Sequence, residues 1–387
     1  MPARTEETLG SRALFFVLEG DMKRVAVFFG GASNEHEISV LTGMMAVNLL
    51  KSAGYEVLPV FLPPSGGMTL AKNASRAEDV AGESRFPAVQ LNGPALERKR
   101  GIFRKRQPFD VALNCCHGGM GEDGTLAALL AWNKVPSASP SAELSVAFMD
   151  KSLCKLAAKG LGLPVLPSVC VREGETERAG READRLGYPL VVKPCRLGSS
   201  IGITVVKEER ELLVALALAF RLDRSALLEP YLPGRRDLNC AAVKRGGEIV
   251  LSPIEEVLSS SPILTFGEKY EGAERRSLLP ADIPEGAAHT VRESMRAIAE
   301  AFGLCGVIRG DFFLTKDGSV YFNELNAVPG SLAFYLFGDT LLDARDFLSA
   351  LVEEAALPPE KRPVCTGLLS RTRFAGSKGC KNRASVL

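Results

Sequence analysis

The stretch RGDFFLTKDGSVYFNELNAVPGS, residues 309–331, restricts this chain more than any other. Two runs rich in β-branched and aromatic residues flank Asp317-Gly318, and that dipeptide between such runs is a strong short-range signal for a β-hairpin. A loop centred on Asp317-Gly318 sets Asp311 opposite Glu324 and Arg309 opposite Asn326. Opposed residues share a face and same-face neighbours are two apart, so all four polar side chains emerge together at one end of the hairpin. Ile308, Phe312 and Leu314 then point to the other face, toward a core.

Two carboxylates opposed at about 5 Å repel and weaken a strand pair. Two readings relieve the repulsion: a cation held between them, or a solvated face on which Arg309 neutralises a carboxylate. Asp311, Glu324 and Asn326 offer oxygen ligands only, which suits a hard ion such as Mg²⁺ rather than zinc or copper. Mg²⁺ usually takes a few protein ligands and completes its shell with phosphate oxygens. The first reading makes the hairpin a phosphate–metal platform, and the hairpin alone does not choose between the two.

The rest of the chain predicts an α/β fold. RVAVFFGG, EVLPVFL and FDVALNCCHGG read as strands, two of them ending in glycine turns, and GTLAALLAWNK as a helix. Strand, glycine turn and helix in succession is the pattern of a parallel sheet, whose ligands bind beyond the carboxyl ends of the strands. This first unit spans 22–140. A second, 141–228, begins with a helix from Asp150 to Leu163. It continues with strands in YPLVVKP and GITVV and a helix from Glu208 to Phe220. A third, 229–358, holds strands in DLNCAAVK and GEIVLSPI and a helix from His289 to Phe302 with Val291, Met295, Ile298 and Phe302 along one side. The hairpin and a last helix, Asp343 to Ala356, complete it. Residues 1–21 read as a disordered extension, with Met22 as an alternative start, and 359–387 as a disordered basic tail without interleaved aromatics.

Composition excludes several classes. Lys+Arg 47 against Asp+Glu 46 leaves a formal charge of +1, so no overall field draws the chain to nucleic acid or to an anionic membrane. No apolar run reaches the roughly 18 residues that span a bilayer. Nine cysteines without a C-x-x-C pair, and three histidines, argue against a disulfide framework and against zinc, and for reduced thiols in a cytoplasmic protein.

VVKPCRLGSSIG ends a strand with Lys193 and continues into a Gly-Ser-Ser loop. Converging backbone N–H groups and the hydroxyls of Ser199 and Ser200 can hold phosphate oxygens there, although neither a P-loop nor a G-x-G-x-x-G fingerprint is present. Seven pieces in order, VAVFFGGASNEHEIS, HGGMGEDGTL, MDKSLCK, VVKPCRLGSSIGI, LLEPYLPG, EKY and RGDFF…NELNAVPG, give the chain from Lys23 to about Leu351 a resemblance to the D-alanine–D-alanine ligases of the ATP-grasp superfamily.

The resemblance implies a three-domain ATP-grasp architecture, an N-terminal parallel α/β domain followed by two α+β domains clasping ATP, and an ADP-forming ligase of cell-wall synthesis. It implies that Lys151, Lys193 and Ser200 hold ATP phosphates and that Lys269 lies in a mobile cover over them. Backbone near Glu229 and Leu232 would read adenine, and Asp237 would take the ribose position, with one extra residue in PGRRDLN. Two Mg²⁺ or Mn²⁺ ions would sit on Asp311, Glu324 and Asn326. Glu35, in a network with Ser199 and Tyr270, would anchor the first D-alanine, with His117 lining the same pocket. ATP would phosphorylate that substrate's carboxylate, the amine of a second D-alanine would attack the acyl phosphate, and Arg309 with the N–H of Gly330 would stabilise the oxyanion. A homodimer is compatible with the resemblance, and no nucleic acid or membrane partner is implied.

One departure stands out. Members of the family usually carry a serine where this chain has Tyr335, and that serine binds the second substrate's carboxylate; Ser331 is another donor nearby. The acceptor is therefore open between D-alanine and another such as D-lactate or D-serine. A non-catalytic nucleotide-binding protein is a third reading.

Overall fold

In the computed structural model residues 22–80, 86–258 and 276–357 are described. The expected N-terminal extension and basic tail, and the segment carrying Lys269 and Tyr270, lie outside them.

Seven strands form the first sheet: β1 (Arg24–Gly30), β2 (Glu56–Leu62), β3 (Met68–Leu70), β4 (Ala88–Leu91), β5 (Ala95–Arg100), β6 (Phe103–Pro108) and β7 (Val111–Asn114), in the order β6-β5-β4-β3-β2-β1-β7. The three expected strands, β2, β1 and β7, form its parallel end, with β1 between the other two. Alternation along β1 explains why it lies there. Val25, Val27 and Phe29 enter one core under the helix His36–Ser52, while Ala26 and Phe28 enter another with Leu126 and Leu130. From β2 outward the sheet is antiparallel. Those four strands are short or polar and carry no apolar run that signals them in sequence.

The second sheet is antiparallel and contains β8 (Val169–Arg172), β9 (Leu190–Pro194), β10 (Thr204–Val206) and β11 (Ser225–Pro230), in the order β10-β9-β11-β8. The helices Thr176–Leu186 and Glu209–Phe220 close its core over Leu190, Val192 and Val206.

The third sheet holds β12 (Arg236–Arg245), β13 (Glu248–Leu251), β14 (Glu255–Leu258), β15 (Arg276–Leu278), β16 (Val307–Leu314) and β17 (Val320–Asn326). Its order is β15-β14-β12-β16-β17, with β13 also on β12. The expected helix starts earlier, at Glu285, because Ala287 and Ala288 extend the buried stripe of Val291, Met295 and Ile298.

β16 and β17 form the anticipated hairpin, by a different route. The loop is Lys316–Gly318, one residue longer than a two-residue turn, with Thr315 paired to Ser319. Gly318 closes it at φ 86°, a left-handed conformation that glycine adopts without steric cost. The longer loop shifts the register at the turn end, pairing Phe312 with Phe322. A bulge between Asp311 and Phe312 shifts it back, restoring Asp311 opposite Glu324 and Arg309 opposite Asn326. Ile308, Phe312 and Leu314 are buried in the core on the other face.

Candidate active site

The three sheets surround a cleft of about 950 Å³, and every described residue expected to bind or react lines it. On the hairpin face, Arg309 donates from Nε and Nη2 to the two oxygens of Asp311 at 2.8 and 3.0 Å, and Asn326 donates from Nδ2 to Asp311 at 3.2 Å. Lys151 Nζ lies 3.3 Å from Glu324. The repulsion between the facing carboxylates is thus offset by a cation on each. Burial by itself would lower the Arg309 pKa, but Asp311 and Tyr335 outweigh it, so the guanidinium stays charged in an enclosed site.

The sheet order extends this face. Asn239 on β12 lies between Asp311 on β16 and Glu255 on β14, and donates to Glu255 at 3.0 Å. Neither Asn239 nor Glu255 stands out in sequence, because only sheet order makes them neighbours.

Lys151 opens the helix Lys151–Gly160, whose first turn is capped by Asp150 accepting from Ser152 and Leu153 N–H. The cap places Lys151 over the Cys195–Ser200 loop, where its Nζ donates to Leu197 O at 2.5 Å. Lys193 is almost fully enclosed and donates to Glu229 at 2.5 Å and to Asn323 at 3.2 Å. Lys155, one turn after Lys151, lies 3.3 Å from the other oxygen of Glu229. Burial would raise the Glu229 carboxyl, but the two lysines win and hold it down to about 2. Burial lowers the Lys193 pKa, with Glu229 opposing and Lys155 adding to the fall. The Glu229 side chain therefore fixes the lysines, a role separate from its backbone's expected contact with adenine. Lys155 and Asn323 escape a reading of the sequence because buried partners so distant along the chain leave no local pattern. Asp237 lines the cleft on β12 and accepts from Arg235 Nε at 3.3 Å.

Ser199 and Ser200 adopt φ 53° and 58°, a conformation costing on the order of 1–2 kcal/mol per non-glycine residue. This turn brings the Ser199 hydroxyl onto the Glu35 carboxylate. The two loops approach so closely that a Cβ at Gly198 would meet Glu35 Oε2 at 3.0 Å. The hydroxyl of Ser33, accepting from Glu35 N–H and donating to His117 O, holds the other side of the contact.

His117 lines the cleft, but protein groups already occupy both ring nitrogens. Nδ1 donates to Val328 O at 2.8 Å, so Nε2 accepts from Thr42 at 2.9 Å. Burial pushes its pKa down, which keeps the ring neutral. Its polar atoms position the chain at Val328 instead of reaching into the pocket. Glu122, within HGGMGEDGTL but assigned no role from sequence, acts beside it by accepting from Gly118 and Val328 N–H at 2.8 and 3.1 Å. Burial, with Glu35 nearby, raises the Glu122 carboxyl to about 7.

Beyond Gly330, the residues Ser331, Leu332 and Ala333 all take positive φ, between 50° and 53°. A run of three such non-glycine residues is strained, and strain of this kind concentrates at functional sites. The turn delivers Tyr335 into the cleft, where its hydroxyl accepts from Arg309 Nη1 at 3.5 Å while its ring packs on the adjoining core.

Residues 24–140 match the family model described as D-ala D-ala ligase N-terminus, and residues 157–352 match D-ala D-ala ligase C-terminus. A D-alanine–D-alanine ligase of Wolinella succinogenes is 38% identical over 326 residues, covering 81% of this chain and 90% of that protein. One from Helicobacter pylori is 33% identical over 316 residues, covering 81% and 90%. The crystal structure of D-alanine–D-alanine ligase from H. pylori superposes with a TM-score of 0.71 at 30% identity, covering 88% of this chain and 100% of that one. The VanG D-Ala:D-Ser ligase from Enterococcus faecalis gives 0.74 at 27%, covering 86% and 99%. With both halves of the family matched in order and the relatives covered almost end to end, this chain belongs to the D-alanine–D-alanine ligase family.

Proposed function

We propose that the chain is an ATP-dependent, ADP-forming ligase that joins two D-alanines through an acyl phosphate for peptidoglycan synthesis. The observation that carries the reading is the Lys151–Glu324 ion pair, which joins the phosphate-holding lysines to the carboxylate hairpin inside one cleft. Its domains are 22–140, 141–228 and 229–358, in a cytoplasmic enzyme compatible with a homodimer. Among the described residues no helix is long and apolar enough to cross a membrane.

Asp311, Glu324 and Asn326 fit Mg²⁺ or Mn²⁺ by donor chemistry, two carboxylates and an amide at one end of the β16–β17 hairpin. Among the described residues no group of three acidic, Cys or His side chains gathers round one point, so the set relies on the amide and on phosphate oxygens. When bound, such ions offset charge on the transferring phosphoryl group. Lys151, Lys193 and Ser200 hold the phosphates. Glu35, oriented by Ser199, takes the ammonium of the first D-alanine, and Arg309 with the Gly330 N–H faces the oxyanion formed when the amine attacks.

An assay of ADP and dipeptide with D-alanine, D-serine, D-lactate and L-alanine tests the proposal. Dipeptide from D-alanine supports it; nucleotide binding without ligation of any of them would establish the non-catalytic reading. Lys193→Ala is expected to raise KM for ATP about 10- to 100-fold, the loss of one charge-assisted hydrogen bond, with a smaller change in kcat. Steady-state kinetics with a melting curve checks this, because the change also leaves Glu229 with one lysine fewer. A kcat effect larger than the KM effect would contradict the phosphate role.

Tyr335 favours a second reading, an acceptor other than D-alanine. Its hydroxyl accepts from Arg309 Nη1, and a hydroxyl can also donate, which is the role an acceptor carboxylate would call on. Tyr335→Phe should raise acceptor KM by roughly 1.5–3 kcal/mol and leave KM for ATP nearly unchanged. Tyr335→Ser should shift preference toward D-alanine if the unaltered enzyme prefers another acceptor. An unchanged acceptor KM in Tyr335→Phe, with a lower melting temperature in Tyr335→Ser, would make the tyrosine a packing residue and leave the carboxylate to Ser331 or a backbone amide.

A further inference from the structure

The near-zero net charge of the chain conceals a local excess. Residues 97–106, ERKRGIFRKR, contain Arg98, Lys99, Arg100, Arg104, Lys105 and Arg106 against the single acid Glu97. They form the hairpin β5–β6, with β6 at the edge of the first sheet. Ala95 and Leu96 anchor its base in the core, but beyond them the ribbon is largely exposed. None of its residues lines the cleft.

Its register sets Arg98 opposite Lys105 and Lys99 opposite Arg104. Like charges directly opposed weaken a strand pair, and here two such pairs lie in succession. Among the described residues the ribbon's ion pair is Arg104 with Glu97 at 3.7 Å, a long contact to a largely exposed arginine, and one acid does not offset two pairs of opposed cations. At the tip, Ile102 is 92% exposed and Phe103 74% exposed, although both are large apolar side chains. A solvated charge run explains the cations but not an apolar tip between them.

We propose that this hairpin docks the protein on an anionic phospholipid surface, with Ile102 and Phe103 entering the interfacial layer and the basic side chains meeting headgroup phosphates. The opposed pairs alternate between the two faces of the ribbon, so cations surround the tip on both sides, as an upright insertion requires. A nucleic acid groove would engage one face and leave the apolar tip unused. Lipid phosphates also remove the cross-strand repulsion, and apolar tips and polybasic segments each add to interfacial affinity.

The test is sedimentation of the full-length protein with phosphatidylglycerol-containing vesicles, pure phosphatidylcholine vesicles, and duplex DNA or RNA as a competitor. Binding is expected to phosphatidylglycerol only and to fall with added salt. Lys99→Gln with Arg104→Gln should weaken it about 30-fold, at about 1 kcal/mol for each cation. Ile102→Ser with Phe103→Ser should weaken it at least about tenfold at unchanged charge. Ligase turnover should be unaffected in both variants, which reports on folding. No preference for phosphatidylglycerol, release of the protein by nucleic acid, or binding that survives the tip change would overturn the proposal. Binding that survives both changes would assign the attraction elsewhere, such as to the basic segment after 357, and overturn it equally.

Discussion

Glu324→Gln and Asp311→Asn are each expected to reduce ligation at least about 100-fold, and chelation of divalent ions should abolish it in the unaltered enzyme. These carboxylates face one another on the hairpin and supply the only negative charge in the Asp311–Glu324–Asn326 set. Loss of a residue that merely orients a metal ligand costs about 10- to 100-fold, so loss of a charged ligand should cost more. Both substitutions keep shape, and Glu324→Gln keeps an acceptor for Lys151, so its melting temperature should change little. Asp311→Asn keeps one acceptor for Arg309 Nε but turns an amide NH₂ toward the donors Arg309 Nη2 and Asn326 Nδ2, so its melting temperature should fall. Titration of Mn²⁺ into the protein with nucleotide gives a readout independent of turnover, and weaker binding in both variants is expected. Full activity after chelation, or in both variants, would eliminate the metal platform and leave the arginine-neutralised face.

Arg309→Ala is expected to lower kcat by on the order of 10²–10³ while changing KM for ATP little. A donor aimed at a developing oxyanion acts mainly in the transition state, and loss of one such donor costs that much. Arg309 suits the role because it is enclosed, charged, and held by a two-point contact with Asp311. The substitution also removes the cation beside Asp311, so its own effect must be separated from that of a disturbed Asp311. Mn²⁺ affinity in the presence of nucleotide provides the separation. A fall in kcat at unchanged Mn²⁺ affinity supports the oxyanion role, whereas a parallel loss of both assigns Arg309 to orienting Asp311.

The hairpin shows how local legibility can succeed through compensating details. A two-residue turn predicts the right opposed pairs, yet the loop is longer and only the bulge after Asp311 restores the pairing. Turn type and bulges depend on packing around Phe312 and Phe322, which a dipeptide signal does not report. The same limit applies to His117. The resemblance of its motif nominates it as lining the pocket, but its bonds to Thr42 and Val328 depend on how a helix and a distant loop pack around it.

What the sequence determined by itself was the local elements, the polar face of the hairpin and the motifs whose resemblance nominated the other candidate residues. Strand alternation, a hairpin dipeptide and helix periodicity act over a few residues, and the motifs lie within such spans. Tertiary structure alone decided which distant groups share a field. It placed Glu229 between Lys155 and Lys193, Asn239 and Glu255 beside the Asp311 strand, Glu122 against Val328, and cations opposite cations on β5 and β6. Sheet order and burial create these relations, because the energy of a charge depends on its enclosure and its neighbours in space, and neither is a property of a short stretch of chain.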